Sequence, residues 1–341
     1  MDDRRSVTTA RQRIAVVGAG IAGLAAARAL QEHGQEVLVF EKGRGVGGRT
    51  STRRQPPFEF DHGAQYFTAR DERFARHVRA WQEAGVVAAW PGRIGSFERG
   101  LWRDNSPQDR YVGVPGMNAV AKHLAAGLNV AAETRITDLT RGVPGWRLST
   151  DRGAAVGVFD AVVVAVPAPQ AAELLVGQTA LAEQAGQWAM LPCWAIMLGF
   201  DHALPIPYDG VFVHGSPLSW IARNSSKPGR STGEAWILHA GPEWSAAHID
   251  DPPEQVIAAL RAEFEQIWDG EARPPAYAAA HRWRYASQSE PLHVGALWDA
   301  EGRLAICGDW CHGARIEGAF LSGLTAADRV LRASGAAADS A

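Results

Sequence analysis

A short apolar strand running straight into a glycine-rich turn, then a helix and a second strand closed by an acid, limits the fold of this chain more than any other feature. Residues 13–17 read RIAVV, and Gly18-Ala19-Gly20-Ile21-Ala22-Gly23 follows directly. An alanine-rich helix is predicted to reach His33, with Gly34 as its stop, before the apolar run 37–40 and Glu41. This order is the one a dinucleotide fingerprint requires. Gly18 permits the tight turn, Gly20 lets backbone approach a pyrophosphate, and Gly23 lets the helix pack on the sheet. The N–H groups and positive dipole end at Ile21 and Ala22 suit phosphate, and Glu41 is placed to accept ribose hydroxyls.

Two further segments bear on which dinucleotide is held. Residues 42–50 read KGRGVGGRT, in which Lys42, Arg44, Gly48 and Arg49 combine flexible backbone with cations suited to a diphosphate. This pattern resembles the second signature of the amine-oxidase-like flavoprotein superfamily. Residues 61–70 read DHGAQYFTAR. By the same resemblance Gln65 and Tyr66 face the flavin, while Tyr66, Phe67, Thr68, Ala69 and Arg70 lead into a substrate cavity. His62 is read as structural. By the same resemblance the segment around Ile136 is expected to pass near the adenine half of FAD. Near the end, strand 304–307 leads to Gly308-Asp309-Trp310 as a loop. Ile316 then opens a terminal helix whose first turn, near Gly318 and Ala319, faces the flavin. Asp309 is expected to hold a ribityl or pyrophosphate hydroxyl.

The rest of the chain sorts into two patterns. Residues 159–167 read FDAVVVAVP and are apolar apart from Asp160, as in a parallel strand buried on both faces. Between 169 and 280 the strand candidates 194–200, 211–213, 220–223 and 236–239 are short, aromatic and split by turn residues, which predicts an antiparallel sheet. Helices are expected at 72–84, from about 117, and at 252–268. The fold class is therefore α/β: a Rossmann-type FAD-binding domain with a second domain built on a mostly antiparallel sheet plus helices. The expected FAD domain comprises 13–70, 110–168 and 284–341, and the substrate domain 71–109 and 169–283. Residues 1–12 are expected to form a disordered tail. Of the chain's 13 tryptophans, Trp220 is assigned to the substrate pocket together with Arg223 and His239. Arg70, Arg99 and Arg223 are candidates for a substrate phosphate.

Composition removes several classes. A net charge of −3 over 341 residues does not read as a nucleic-acid binder. Three cysteines form no disulfide framework, and Cys307 and Cys311 lack partners at zinc-like spacing, so no metal is expected. No apolar leader or membrane-spanning run is present, which makes the cytoplasm the expected location.

Taken together, Gly18–Gly23, Arg44–Arg49, Gly63–Arg70, Val166–Pro169, His281–Trp283, Cys307–Trp310 and Glu317–Ala319 make the chain resemble a bacterial renalase-type flavoprotein. That resemblance implies non-covalent FAD and a small-molecule dinucleotide substrate. It implies hydride removal from misreduced 1,2- or 1,6-dihydro isomers of NAD(P)H, with O2 as the final acceptor and H2O2 as product. No separate catalytic side chain is implied, because the dihydropyridine ring rearomatises without proton removal. Three alternatives stand beside it: an amine oxidase, a carotenoid-type desaturase and a non-catalytic flavin module. Many amine oxidases of the superfamily use a lysine that holds water at the flavin. The only lysines here are Lys42, Lys122 and Lys227, the last in a polar Ser-Ser-Lys-Pro-Gly loop.

Overall fold

The first strand, Arg13–Val17, is hydrogen-bonded in parallel to Glu36–Phe40 on one side and Ala161–Val164 on the other. In the computed structural model, which describes residues 11–268 and 274–335, all four residues of Ala161–Val164 are fully buried. The continuous apolar run is thus explained by burial of both faces of a central strand. The strands of this sheet follow the order Leu297–Asp299, Leu304–Ile306, Ala161–Val164, Arg13–Val17, Glu36–Phe40, Asn129–Ala131. Only the first pair is antiparallel. Helix Ile21–Glu32 packs against the terminal helix Ile316–Ala333. The two backbones approach so closely that a Cβ on Gly323 would stand 2.2 Å from the Ala22 carbonyl oxygen. A three-stranded antiparallel sheet, Ile136–Arg141, Trp146–Thr150 and Ala155–Phe159, completes this unit.

The second unit is built on a seven-stranded sheet. Its order is Tyr277–Ser287, Leu191–Phe200, Glu234–Ala240, Leu218–Arg223, Gly210–His214, Ile94–Glu98, Leu101–Asp104. Every pairing is antiparallel except that of Gly210–His214 with Ile94–Glu98. Helix Pro253–Trp268 presents Val256, Leu260, Phe264 and Ile267 to one face of this sheet, where they join Trp236, Ile221 and Leu198 in a core. Their spacing of four, four and three is the apolar stripe of an amphipathic helix. Helix Glu72–Glu83 buries Phe74, Val78 and Trp81 in the same way, and the Asp71 side chain caps it by accepting from the Arg73 amide.

The described residues of the first unit come from 11–48, 124–189 and 290–335, and those of the second from 49–123 and 190–289. These edges differ from the sequence expectation at four places, the shortest being 284–289, which the strand Tyr277–Ser287 carries into the second unit by pairing with Leu191–Phe200. Residues 49–70 belong with the second unit because hairpin Thr52–Gln55/Phe58–Asp61 packs Phe58 and Phe60 against Met197 and Ile237. Residues 110–123 join it through pairing of Tyr111–Gly113 with Val87–Ala89. Residues 169–189 belong with the first unit, where Thr179 donates to Asp299 and the Arg141 amide to Gln178. Of the expected tail, residues 1–10 lie outside the described residues. Gln12 is ordered, its amide donating to Gln35 and its carbonyl accepting from Glu36. No helix among the described residues is long and apolar enough to cross a membrane.

Phe264 is 1% exposed. Phe264→Ala is expected to lower the unfolding free energy by about 3–5 kcal/mol, read as a lower urea midpoint with an unchanged slope.

Candidate functional site

In the first unit the fingerprint turn is shaped by backbone contacts that exclude any side chain. Gly18 has φ +105°, and a Cβ there would lie 2.5 Å from the Ala165 carbonyl oxygen. A Cβ on Gly23 would lie 2.0 Å from the Gly18 carbonyl oxygen. Gly20 is different: nothing lies within 4 Å of its Cβ position, so the missing side chain leaves room for a ligand. Helix Ile21–Glu32 starts there without a side-chain cap, and its first bond runs from the Leu24 amide to the Gly20 carbonyl. The amides of Ile21, Ala22 and Gly23 therefore stand outside the helical ladder, an anion-binding arrangement.

Glu41 accepts from the Ala19 amide through Oε2 at 2.9 Å and from the Gly43 amide through Oε1 at 2.7 Å. Each oxygen retains acceptor capacity for a ribose hydroxyl. The chain ahead of Ile136 docks on the same turn, with the Thr134 amide donating to the Glu41 carbonyl and the Glu133 amide to that of Gly43. Ile136 itself is buried, while Lys42, Arg44 and Gly48 are exposed. Turn, acid and crossing segment thus form one polar cradle.

The C-terminal signature is present with two changes. Asp309 is 7% exposed and opens a short helix, Asp309–His312, where a loop was expected. The helix forms because the Gly313 amide closes onto the Asp309 carbonyl. Ala319 cannot offer its amide to a ligand, because it donates to the Arg315 carbonyl at 3.0 Å. The first-turn amides of Ile316–Ala333 are those of Ile316, Glu317 and Gly318.

The second unit contains a cavity of about 390 Å³. Gly63, Ala64, Gln65 and Tyr66 wall it from the segment after Phe58–Asp61, and Phe212, Ser219, Trp220 and His239 from three neighbouring strands. Sheet register explains the second set. Phe212 is paired with Trp220 and Trp220 with His239, so all three share a face. Trp220 lies edge-on to Phe212 at 4.7 Å and 5.7 Å from Tyr66, ring centre to ring centre. None of these wall residues is a carboxylate. Burial lowers the pKa of His239 to about 4, and burial followed by the charges of His281 and Arg53 does the same for His62. Burial first, then Arg53, also lowers His281 to about 4. All three imidazoles are neutral at pH 7.

Behind Gln65 lies a buried ionic cluster. Asp61 Oδ2 accepts from Lys227 Nζ at 3.3 Å and from Arg230 Nη2 at 2.7 Å, and these three side chains are at most 1% exposed. Asp61 Oδ1 accepts from Thr52 Oγ1 and the Met117 amide. Lys227 Nζ also donates to Gln65 Oε1 at 3.1 Å and Asn224 Oδ1 at 2.9 Å. Burial is the main cause that brings the Lys227 pKa down to about 8, partly opposed by Asp61. The polar loop seen in sequence is thus folded inward, and Lys227 is a buried cation one hydrogen bond from the cavity wall.

Other expectations require correction. The Gln65 amide cannot face a ligand: its oxygen is held by Lys227, and its nitrogen donates to the carbonyls of Asp61 and Gly63. Phe67 is a core residue, 4% exposed and edge-on to Phe74. Its backbone bridges to Tyr111, which turns it out of the cavity wall. Thr68 and Ala69 are half-buried and Arg70 is exposed, and none of them lines the cavity. Arg99 is exposed with φ +50°. Arg223 is committed to Asp209, Glu234 and the carbonyls of Leu204 and Ile206. Arg49 donates to the Ala286 carbonyl. Sequence reasoning missed Asp61, Lys227 and Arg110 as contributors. Arg110 is 8% exposed and sits over the Tyr66 ring at 5.3 Å. Asp61 opens the DHGAQ segment and Lys227 was noted in its polar loop, but no local pattern shows that the two meet or that Arg110 covers Tyr66, because these partners are distant in the chain. No cluster of three or more potential metal ligands occurs among the described residues.

The family described as flavin containing amine oxidoreductase matches residues 77–331, and an NAD(P)-binding Rossmann-like domain matches residues 16–81. A solved structure described as a putative protoporphyrinogen oxidase from Exiguobacterium sp. 255-15 superposes with a TM-score of 0.76 at 14% identity. It covers 93% of this chain and 98% of its own. A putrescine oxidase variant superposes with a TM-score of 0.71 at 15% identity, covering 94% and 99%. A 4,4'-diapophytoene desaturase of Staphylococcus aureus is 49% identical over 51 residues, which span 15% of this chain and 10% of the desaturase.

Two outcomes follow from the geometry. Gly23→Val is expected to give protein without yellow colour, because no movement short of opening the turn accommodates a Cβ at 2.0 Å. The ratio of flavin to protein absorbance measures this. The second concerns acid. The unfolded chain protonates its histidines near 6.5, whereas the folded protein protonates His62, His239 and His281 only near 4. Between these values the unfolded state binds more protons, so stability falls as pH drops from 6.5 towards 4. Urea midpoints across this range should decline, and His239→Gln should make the decline shallower.

Proposed function

The chain belongs to the flavin containing amine oxidoreductase family, and we propose that within it this protein oxidises misreduced 1,2- or 1,6-dihydro isomers of NAD(P)H to NAD(P)+. FAD, when bound, supplies the two-electron acceptor and passes the electrons on to O2, giving H2O2. The backbone at Gly18, Gly20, Ile21, Ala22 and Gly23 holds its diphosphate, with Glu41 on a ribose and the segment at Ile136 beside the adenine half. Lys42, Arg44 and Gly48 bound this cradle, and Asp309, Ile316 and Gly318 complete it from the C-terminal signature. Attachment is non-covalent. Cys307 is fully buried, and burial pushes its thiol up to about 12.

The observation that carries the reading is the cavity wall. Tyr66, Phe212 and Trp220 offer three rings and no carboxylate, and the nearby histidines are neutral. Such a wall suits an uncharged planar ring. An alkylammonium substrate, by contrast, would lose its hydration without gaining a counter-ion. Hydride loss rearomatises a dihydropyridine, so His239 need not act as a base. The wall's task is to position the ring and exclude water.

An amine oxidase is the second reading, and Lys227 is the observation that favours it. This lysine is buried, its pKa is brought down to about 8, and it is hydrogen-bonded to a wall residue.

Anaerobic mixing of the yellow protein with dihydro-NAD isomers, ordinary NADH and a panel of primary amines separates the readings. Rapid bleaching of the flavin by the isomers alone is expected, with Trp220→Ala raising KM about three- to tenfold. Bleaching by an amine alone would replace the first reading with the second. Bleaching by no compound would leave a flavin-binding protein without turnover of these substrates.

A further inference from the structure

More cations than carboxylates stand close behind the aromatic wall. Lys227 and Arg230 share one carboxylate, Asp61, inside the cluster. Lys227 lies 3.1 Å from the Gln65 oxygen and 5.6 Å from the centre of the Trp90 ring, which neighbours Tyr66. Arg110 sits over the face of Tyr66 and has no carboxylate partner among the described residues. One of its nitrogens donates to the Gln108 carbonyl, and its buried Nε has no partner. Three cations therefore stand against one carboxylate beside a wall that carries none. The imidazoles of His62, His239 and His281 are neutral at pH 7 and do not alter the balance.

We propose that this cavity discriminates between its substrate and its product by charge: Arg110 and Lys227 hold a positive potential that accepts a neutral dihydropyridine ring and destabilises the pyridinium cation left after hydride loss. The inference rests on the dihydro-NAD(P) reading above. In that reaction one C–H bond of the ring breaks, and the proton and both electrons leave together as hydride to the bound FAD. The ring left behind carries a charge of +1. Substrate and product are nearly the same shape, so shape alone cannot release one and retain the other.

Magnitudes decide the sign. Aromatic faces attract cations, which by itself favours the product about two- to fivefold. Of the three wall rings, Tyr66 already has Arg110 over one face, so its attraction for a further cation is reduced, while Phe212 and Trp220 keep theirs. A unit charge acting over about 10 Å at an effective dielectric constant of ~20–40 changes affinity about four- to sixteen-fold. The buried cations therefore outweigh the rings, and the product is the weaker ligand. The same potential turns away protonated amines.

The test uses oxidised holoenzyme and no turnover. Nicotinamide, which is neutral, and 1-methylnicotinamide, a permanent pyridinium cation, are titrated separately while the flavin visible band is followed. Wild-type protein is expected to bind the cation at least about fourfold more weakly. Arg110→Gln should narrow that gap about four- to sixteen-fold, Arg110→Lys should preserve it, and Lys227→Met should narrow it as well. Flavin content of each variant reports folding. If the wild type prefers the cation, or if both charge-removing variants keep the wild-type ratio, the proposal is overturned. Because binding alone is read, this failure is distinct from that of the dihydro-NAD(P) reading, which appears as absent bleaching by the isomers.

Discussion

The Asp61 carboxylate is the constraint on which the second unit's site depends. It is fully buried, and burial by itself raises a carboxyl pKa. Lys227, Arg230 and the Met117 amide reverse that effect and hold the group ionised. Through Thr52, Met117, Lys227 and Arg230 one carboxylate joins three parts of the chain: its own hairpin, the segment at Met117 and the loop 227–230. Buried ion pairs add little net stability when complete, but loss of one partner leaves uncompensated charge and costs several kcal/mol, about 3–5 in typical cases. The cluster is better understood as fixing geometry than as adding stability. By orienting Gln65 through Lys227 it sets the course of Gly63–Tyr66 along the cavity wall.

The two units solve different chemical problems. The first presents backbone: amides at a helix start, glycines that leave space, and one acid braced by two amides. Such a surface suits phosphate and sugar, whose recognition depends on donors and close approach. The second presents rings with cations close behind them, a surface suited to a planar group. In the function proposed above FAD carries the electron chemistry and nothing in the wall has to act as a strong acid or base, a division with which histidines of pKa near 4 are compatible.

How much was legible followed from how local each requirement is. The fingerprint turn, the buried parallel strand Ala161–Val164 and the helix Pro253–Trp268 are specified by neighbours in sequence, and all were anticipated. The longest strand, Tyr277–Ser287, was not, because its alternation is obscured by alanines and arginines. Trp220 and His239 were placed at the cavity from their strand context. Arg223, on the same strand as Trp220, was placed there too, but it is drawn to Asp209 and Glu234. Nothing in the local sequence says which carboxylate a guanidinium will meet.

The sequence by itself determined the glycine turn before the first helix, because a Cβ at Gly18 or Gly23 would collide with backbone one strand or a few residues away. It also determined that the second unit would be a sheet rich in aromatic side chains. Tertiary structure alone decided the electrical character of the cavity. Lys227 and Arg110 are separated from Gln65 and Tyr66 by long stretches of chain, and only folding brings those charges behind those walls. Backbone shape is a short-range property of the chain, whereas the field inside a cavity is summed over whatever charges the fold brings near.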